Sequence, residues 1–191
     1  AAWAAIYTCN YFDASVFIVP ILCIVGPLIS FLGWSGMGHE LLHNTFFKTR
    51  KLNKFFLVVN SILTWNNWAY HEKSHKIHHR DTLIEDVDFE FDVKQQKLSG
   101  LSLLYSLSFD WKMFRRALVN TFVNAQGTVP GTFANRHFQR GTKNANDVVK
   151  AARIILLFHL LIFLLSLYTR SILPILCITL APFMVTFPTR I

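Results

Sequence analysis

Two stretches of this sequence carry histidines at spacings that suit metal chemistry. The first, GHELLHNTFF at 38–47, holds His39 and His43 with Glu40 between them. Residues four apart share a helix face, so both imidazoles would present to one partner. The same letters match H-E-x-x-H, in which two histidines hold zinc and the glutamate activates water. The second stretch, HEKSHKIHH at 71–79, carries His71, His75, His78 and His79. On a helix these fall at roughly 0, 40, −20 and 80 degrees, within one ~100° stripe. Six of the eight histidines therefore lie within 41 residues, in two stripes.

A zinc protease needs about three protein ligands and an open position for water; five or six convergent imidazoles are too many. An intramembrane protease of this kind would also want a later aspartate in an Asp-Gly context. The chain has no Asp-Gly and no acidic residue between 151 and 188. Cys9, Cys23 and Cys177 are scattered without a C-x-x-C pair, which indicates small apolar residues, neither a zinc knuckle nor a disulfide framework.

The elements that must position the histidines belong to a greasy chain. Of 191 residues 52 % are hydrophobic and 16 % charged, against about 25 % charged in an ordinary soluble domain. Between Asp13 and His39 lie 25 uncharged residues, enough to cross a hydrocarbon core of ~30 Å; a transmembrane segment is expected over about 15–38. A second apolar region predicts a membrane hairpin, with arms at about 151–169 and 172–188 and Arg153 reaching to the interface. The stretch FFLVVNSILTWNNWAY at 55–70 would separate the two histidine clusters across the membrane if it crossed. Its Asn60, Asn66 and Asn67 argue against lipid exposure, so a buried helix returning to the same side is expected. Residues 98–123 mix apolar side chains with Lys112, Arg115 and Arg116, which suits an interfacial or a soluble helix, and 124–132 reads as a loop. The expected fold class is an all-α integral membrane protein whose cytoplasmic or interfacial helices carry the histidines. The chain lacks an initiator methionine and ends inside an apolar region, so a single partial domain over 1–191 is expected.

Charge orients this arrangement. The formal net charge is +8. Lys48, Arg50, Lys51 and Lys54 follow the first span, and Arg136, Arg140, Lys143, Lys150 and Arg153 precede the hairpin, whose tip holds only Arg170. The positive-inside rule then makes 39–150 cytoplasmic. No aromatic-basic ladder points to nucleic acid.

With HELLH at 39–43, HKIHH at 75–79, an apolar non-spanning segment between them, RDTLIEDVDFE after the second box and a later hairpin, the sequence resembles the membrane fatty acid desaturase superfamily, which includes hydroxylases and ketolases. The resemblance covers roughly 30–170. It implies that His39, His43, His75, His78 and His79 ligate metal, and that the metal is a pair of non-haem iron ions. It also implies a lipid acyl substrate, O₂ and a separate electron donor of cytochrome b5 or ferredoxin type, since no cytochrome b5 segment is visible. The membrane would be the endoplasmic reticulum in a eukaryote or the plasma membrane in a bacterium, with the boxes facing the cytoplasm. The family carries a third box after its second hairpin, and the chain stops before that position. Two irons need about eight donors, and the two boxes supply five.

The remaining residues take supporting roles in this reading. Glu40 would fix a histidine tautomer, and His71 is expected behind the ligands rather than among them. Within the acidic run Asp81, Glu85, Asp86, Asp88, Glu90 and Asp92, Asp86 and Asp88 stand out as partners for ligating histidines. Trp65, Asn66, Asn67 and Trp68 either line an acyl tunnel or simply pack. His159, inside the hairpin, reads as a buried hydrogen-bonded residue, and His137 as a loop residue. The rival class is a histidine-rich membrane metal-binding protein or transporter, which should carry its ligands at mid-membrane.

Overall fold

The computed structural model describes residues 36–82, 84, 87–88 and 109–184. These form helices α1 (Met37–His43), α2 (Arg50–Leu63), α3 (Trp68–Arg80), α4 (Trp111–Ala125), α5 (Thr132–His137) and α6 (Lys143–Tyr168). A π-helical turn (Ile175–Leu180) and a 3-10 turn (Ala181–Phe183) follow. No strand occurs among the described residues; the nearest thing is an isolated antiparallel bridge between Phe109 and Met184. Most of the expected first span, 15–38, lies outside the described residues, as do Cys9 and Cys23.

Local chemistry ends α1 where the first box ends. Asn44 adopts a left-handed conformation (φ 59°), which asparagine tolerates better than most residues, and Thr45 returns its backbone N–H to the Glu40 carbonyl. The connection to α2 wraps around Asn53, which is fully buried. Its amide donates to the carbonyls of Phe47 (2.7 Å) and Thr49 (3.0 Å), and its oxygen accepts from the Phe47 N–H. Thr49 caps α2 by accepting from Leu52.

Helix α2 is amphipathic in the reverse sense for water. It buries Asn53, Leu57, Asn60 and Ser61 and turns Leu52 and Phe55 outward. Its 14 residues span about 21 Å at 1.5 Å each, short of a ~30 Å hydrocarbon core. The single helix anticipated over 55–70 is two helices with a break. Trp65 sits at φ 59°, and Asn67 starts α3 by accepting from the Tyr70 N–H at 3.1 Å. The same Asn67 donates to the Val148 carbonyl of α6 at 2.9 Å. Losing a side-chain N-cap costs typically ~1 kcal/mol. Asn67→Ala should therefore lower the thermal midpoint in detergent, and Asn67→Asp, which keeps the cap but not the donor, should fall between; equal midpoints for all three would refute the capping role.

Among the described residues α6 is the one helix long and apolar enough to cross a membrane, and only 33 % of its apolar window is buried. Its inner face is small or polar (Ala145, Ala151, Ala152, His159, Ser166), with Val148 and Ile155. Leu157, Leu160, Leu161 and Phe163 are exposed. A soluble core helix shows the opposite distribution. Arg153 is engaged at the other end of a neighbour: its Nε donates to the Ala125 carbonyl at 3.0 Å, closing α4.

The second hairpin arm, expected over 172–188, is helical from 173 to 183: α-helical at 173–174, π-helical over Ile175–Leu180 and 3-10 over Ala181–Phe183. Pro182 lacks an N–H and cannot extend an α-helix, and Met184 is extended. Residues 185–188 lie outside the described residues. Two bonds hold this arm, one to Trp65 at the α2–α3 break and one to His159 of α6. Trp65 Nε1 donates to the Thr179 carbonyl at 3.1 Å, and His159 meets Thr179 Oγ1 at 3.0 Å. His159 Nε2 lies 3.0 Å from the Ile62 carbonyl. A carbonyl only accepts, so Nε2 carries the proton and Nδ1 accepts from the threonine. The His159 ring stacks flat on Trp65, centroids 3.9 Å apart. His159 is thus a buried, hydrogen-bonded staple.

The helix anticipated over 98–123 is described as α4, capped by buried Asp110 accepting from Met113; 98–108 lie outside the described residues. It packs on α6 through its inner face and exposes Trp111 and Phe122 beside Lys112, Arg115 and Arg116. Gly127, at φ 95°, follows it into the expected loop.

Candidate metal centre

The α1–α2–α3 path brings the two histidine stripes face to face. His39 and His43 come from α1, and His75 and His79 from α3. One ring nitrogen of each of the four lies within 4.8 Å of all the others. The tightest part is a triangle of Nε2 atoms: His43–His75 at 2.9 Å, His43–His79 at 3.1 Å and His75–His79 at 3.1 Å. His39 closes the group, its ring 4.6 Å from His43 and 4.8 Å from His75.

Such a triangle cannot satisfy itself. A neutral imidazole offers either a proton or a lone pair at Nε2, so two of three mutually close nitrogens must present the same thing to each other. A cation meets all three lone pairs at once. Adjacent donors ~2.1 Å from a six-coordinate ion stand about 3 Å apart, which is the separation found here. An all-nitrogen set of this kind suits first-row transition metals.

The surroundings favour the neutral, ligating form. The His43 pKa is lowered, by desolvation first and then by the positive charge its neighbours His39, His75 and His79 would carry. Glu40 sits beside the group with its Oε1 3.2 Å from His39 Nδ1, and Thr45 Oγ1 donates to its Oε2 at 2.6 Å. Those two contacts, Thr45 first, hold its carboxyl below the usual range. The cluster opens into a pocket of about 340 Å³ lined by Leu42, His43, Glu72, His75, Lys76 and His79. Glu72 pairs with Lys54 and with Lys76. Burial pushes its pKa up, but the two ammonium groups outweigh burial and keep it ionised.

His78 is not part of the four-donor group. Its ring lies 5.5 Å from that of His79 and 5.9 Å from that of His75, and its Nδ1 faces both oxygens of the buried Asp88 at 2.9 Å. A carboxylate there makes Nδ1 the donor and leaves Nε2 with its lone pair. Asp86, Glu85, Glu90 and Asp92 lie outside the described residues. His71 is buried one turn before His75, ring centroids 5.8 Å apart. Desolvation foremost, with the charges of His75 and His39, pushes its pKa down to about 3.

That shift carries a sign. Below pH ~6.5 the unfolded chain protonates His71 while the folded chain does not until near pH 3. Stability of the metal-free protein should therefore fall as pH drops from about 6.5 toward 3. Thermal midpoints in detergent at pH 7 and pH 5 check this; a pH-independent midpoint, or one unaltered in its pH slope by His71→Gln, would contradict it.

Trp65, Asn66, Asn67 and Trp68 do not line the histidine pocket. Trp65 packs with Ile155 and Phe183, and Trp68 lies against that cluster. Asn66 donates to Thr64 Oγ1 at 3.1 Å, and Asn67 caps α3. His137, read from sequence as a loop residue, is instead the last residue of α5, near Lys73, Arg80 and Asp81. The pocket's Glu72 and Lys76 were not singled out from sequence, although an i, i+4 acid–base pair on the helix of the second box was there to be seen.

Helices that converge four imidazoles from two segments, beside one helix apolar and long enough to cross a membrane, form a cluster that could hold a metal ion. The chain belongs to the fatty acid desaturase family, whose model matches residues 14–190. No curated protein and no solved structure matches it significantly. The family is an iron-dependent, membrane-associated group of desaturase and hydroxylase type, acting on lipid substrates with O₂.

Proposed function

We propose that this chain carries the histidine boxes of an O₂-dependent di-iron oxidoreductase that desaturates a lipid acyl chain. The Nε2 triangle of His43, His75 and His79 carries the reading, because a shared cation would meet all three lone pairs at that spacing. In this account His39, His43, His75 and His79 hold one iron. His78, with Nδ1–H given to Asp88, would offer Nε2 toward the second. Bound iron would supply O₂ activation and removal of hydrogen from an unactivated CH₂.

The residues of this chain do the rest. Asp88 fixes the tautomer and ring plane of His78, and the Glu40 carboxylate, itself held by Thr45, restrains His39. The Asn67 and Trp65–His159 contacts hold α3 against α6, so His75 and His79 keep their places opposite α1. The outward leucines and phenylalanine of α6 support a bilayer location, from which an acyl substrate would arrive by lateral diffusion. We place the histidine pocket on the cytoplasmic side, with electrons supplied by a separate cytochrome b5- or ferredoxin-type carrier.

The natural full-length protein, loaded with ferrous iron and given reductant, O₂ and a long-chain acyl lipid, tests this. The product should be lighter than the substrate by two hydrogens. A product heavier by one oxygen would move the protein to the hydroxylases, and no product with full iron loading would defeat the enzymatic reading.

A further inference from the structure

The segment from Phe46 to Phe55 shows a combination the metal centre does not use. Phe46 (51 % exposed), Leu52 (45 %) and Phe55 (58 %) present large apolar side chains, and Lys48, Arg50 and Lys51 are exposed among them. From residue 41 to 71 the sequence holds no acidic residue, and Glu72 is taken by Lys54 and Lys76. The interior face of α2 buries three polar residues (Asn53, Asn60, Ser61) with Leu57, while Leu52 and Phe55 face outward. In water such a face is a liability. At a lipid–water boundary it is favourable, since aromatic side chains enter the acyl edge while lysine and arginine reach the headgroups.

We propose that Phe46–Phe55 is an interfacial anchor selective for anionic phospholipid, with Lys48, Arg50 and Lys51 binding the phosphate-bearing headgroups and Phe46, Leu52 and Phe55 entering the bilayer edge. Three cations that form no ion pair among the described residues complement an anionic surface better than a zwitterionic one. Because the anchor lies between the two box helices, it would fix the depth at which the histidine pocket meets the membrane. The inference rests on the membrane placement read from α6 and is independent of the iron chemistry.

The full-length protein, with Cys9, Cys23 and Cys177 replaced by alanine, is labelled with a bimane at Phe55→Cys and reconstituted in phosphatidylcholine vesicles containing phosphatidylglycerol. Quenching is compared between brominated phosphatidylglycerol and brominated phosphatidylcholine. Each basic residue near an anionic surface is worth about fivefold in association, so the anionic lipid should quench with at least that preference. In the Lys48→Gln/Arg50→Gln/Lys51→Gln variant the preference should fall toward one while quenching by the neutral lipid persists. A bimane at Leu161→Cys on α6 is the control. Quenching at 161 with none at 55, equal quenching by both lipids at 55, or a preference surviving the triple variant would each overturn the anchor. Absence of quenching at 161 would remove the membrane placement itself.

Discussion

His79→Ala in the full-length protein should abolish turnover and lower bound metal, while the helical content stays unchanged. His79 is exposed and supplies one vertex of the Nε2 triangle, 3.1 Å from both His43 and His75. Its removal deletes a donor that no neighbour can replace, because His78 is turned to Asp88 and His71 lies buried behind His75. The loss should exceed the 10–100-fold typical of residues that only support a ligand. Circular dichroism with metal analysis separates this from unfolding. Full metal content and retained turnover in His79→Ala would take that residue out of the centre.

Asp88→Asn should cost 10–100-fold in activity or metal affinity, the range for outer partners of ligating histidines. The carboxylate accepts from His78 Nδ1 through both oxygens. An amide in its place can turn its NH₂ toward Nδ1, favouring the tautomer that blocks Nε2 with a proton. The carboxylate, not its volume, is therefore decisive, so Asp88→Glu should recover part of the loss if the longer side chain still reaches Nδ1. Turnover equal to that of the unsubstituted protein in Asp88→Asn would show that the pair plays no part in the chemistry.

The histidine stripes were legible because helical spacing alone puts His39 with His43 and His75 with His79 on common faces, and a face-sharing imidazole pair has few other uses. Their meeting was inferable from the polar residues in 55–70, which a membrane-crossing helix would not tolerate. The break at Trp65 was not legible, because apolar periodicity continues through it. What stops the helix is tertiary, namely the stack on His159 and the bond to Thr179, 114 residues away. In the second hairpin arm the π-helical turn gives way to a 3-10 turn at Pro182 and then to the pairing of Met184 with Phe109, details that apolar composition does not encode. His78 shared a stripe with His75 and His79 in projection. Its separate engagement depended on where Asp88 folded back, which spacing does not encode. Asp88 itself was singled out from the acidic run, and Glu72 with Lys76 at the pocket rim went unnoticed because charged pairs on a helix are ordinarily solvated.

The identity and number of bound metal ions test the central claim most directly. Elemental analysis of the natural full-length protein, purified without chelators, should find about two irons per chain and little zinc, with iron lost in His79→Ala. One zinc per chain without iron, with activity surviving His79→Ala, would contradict the di-iron account.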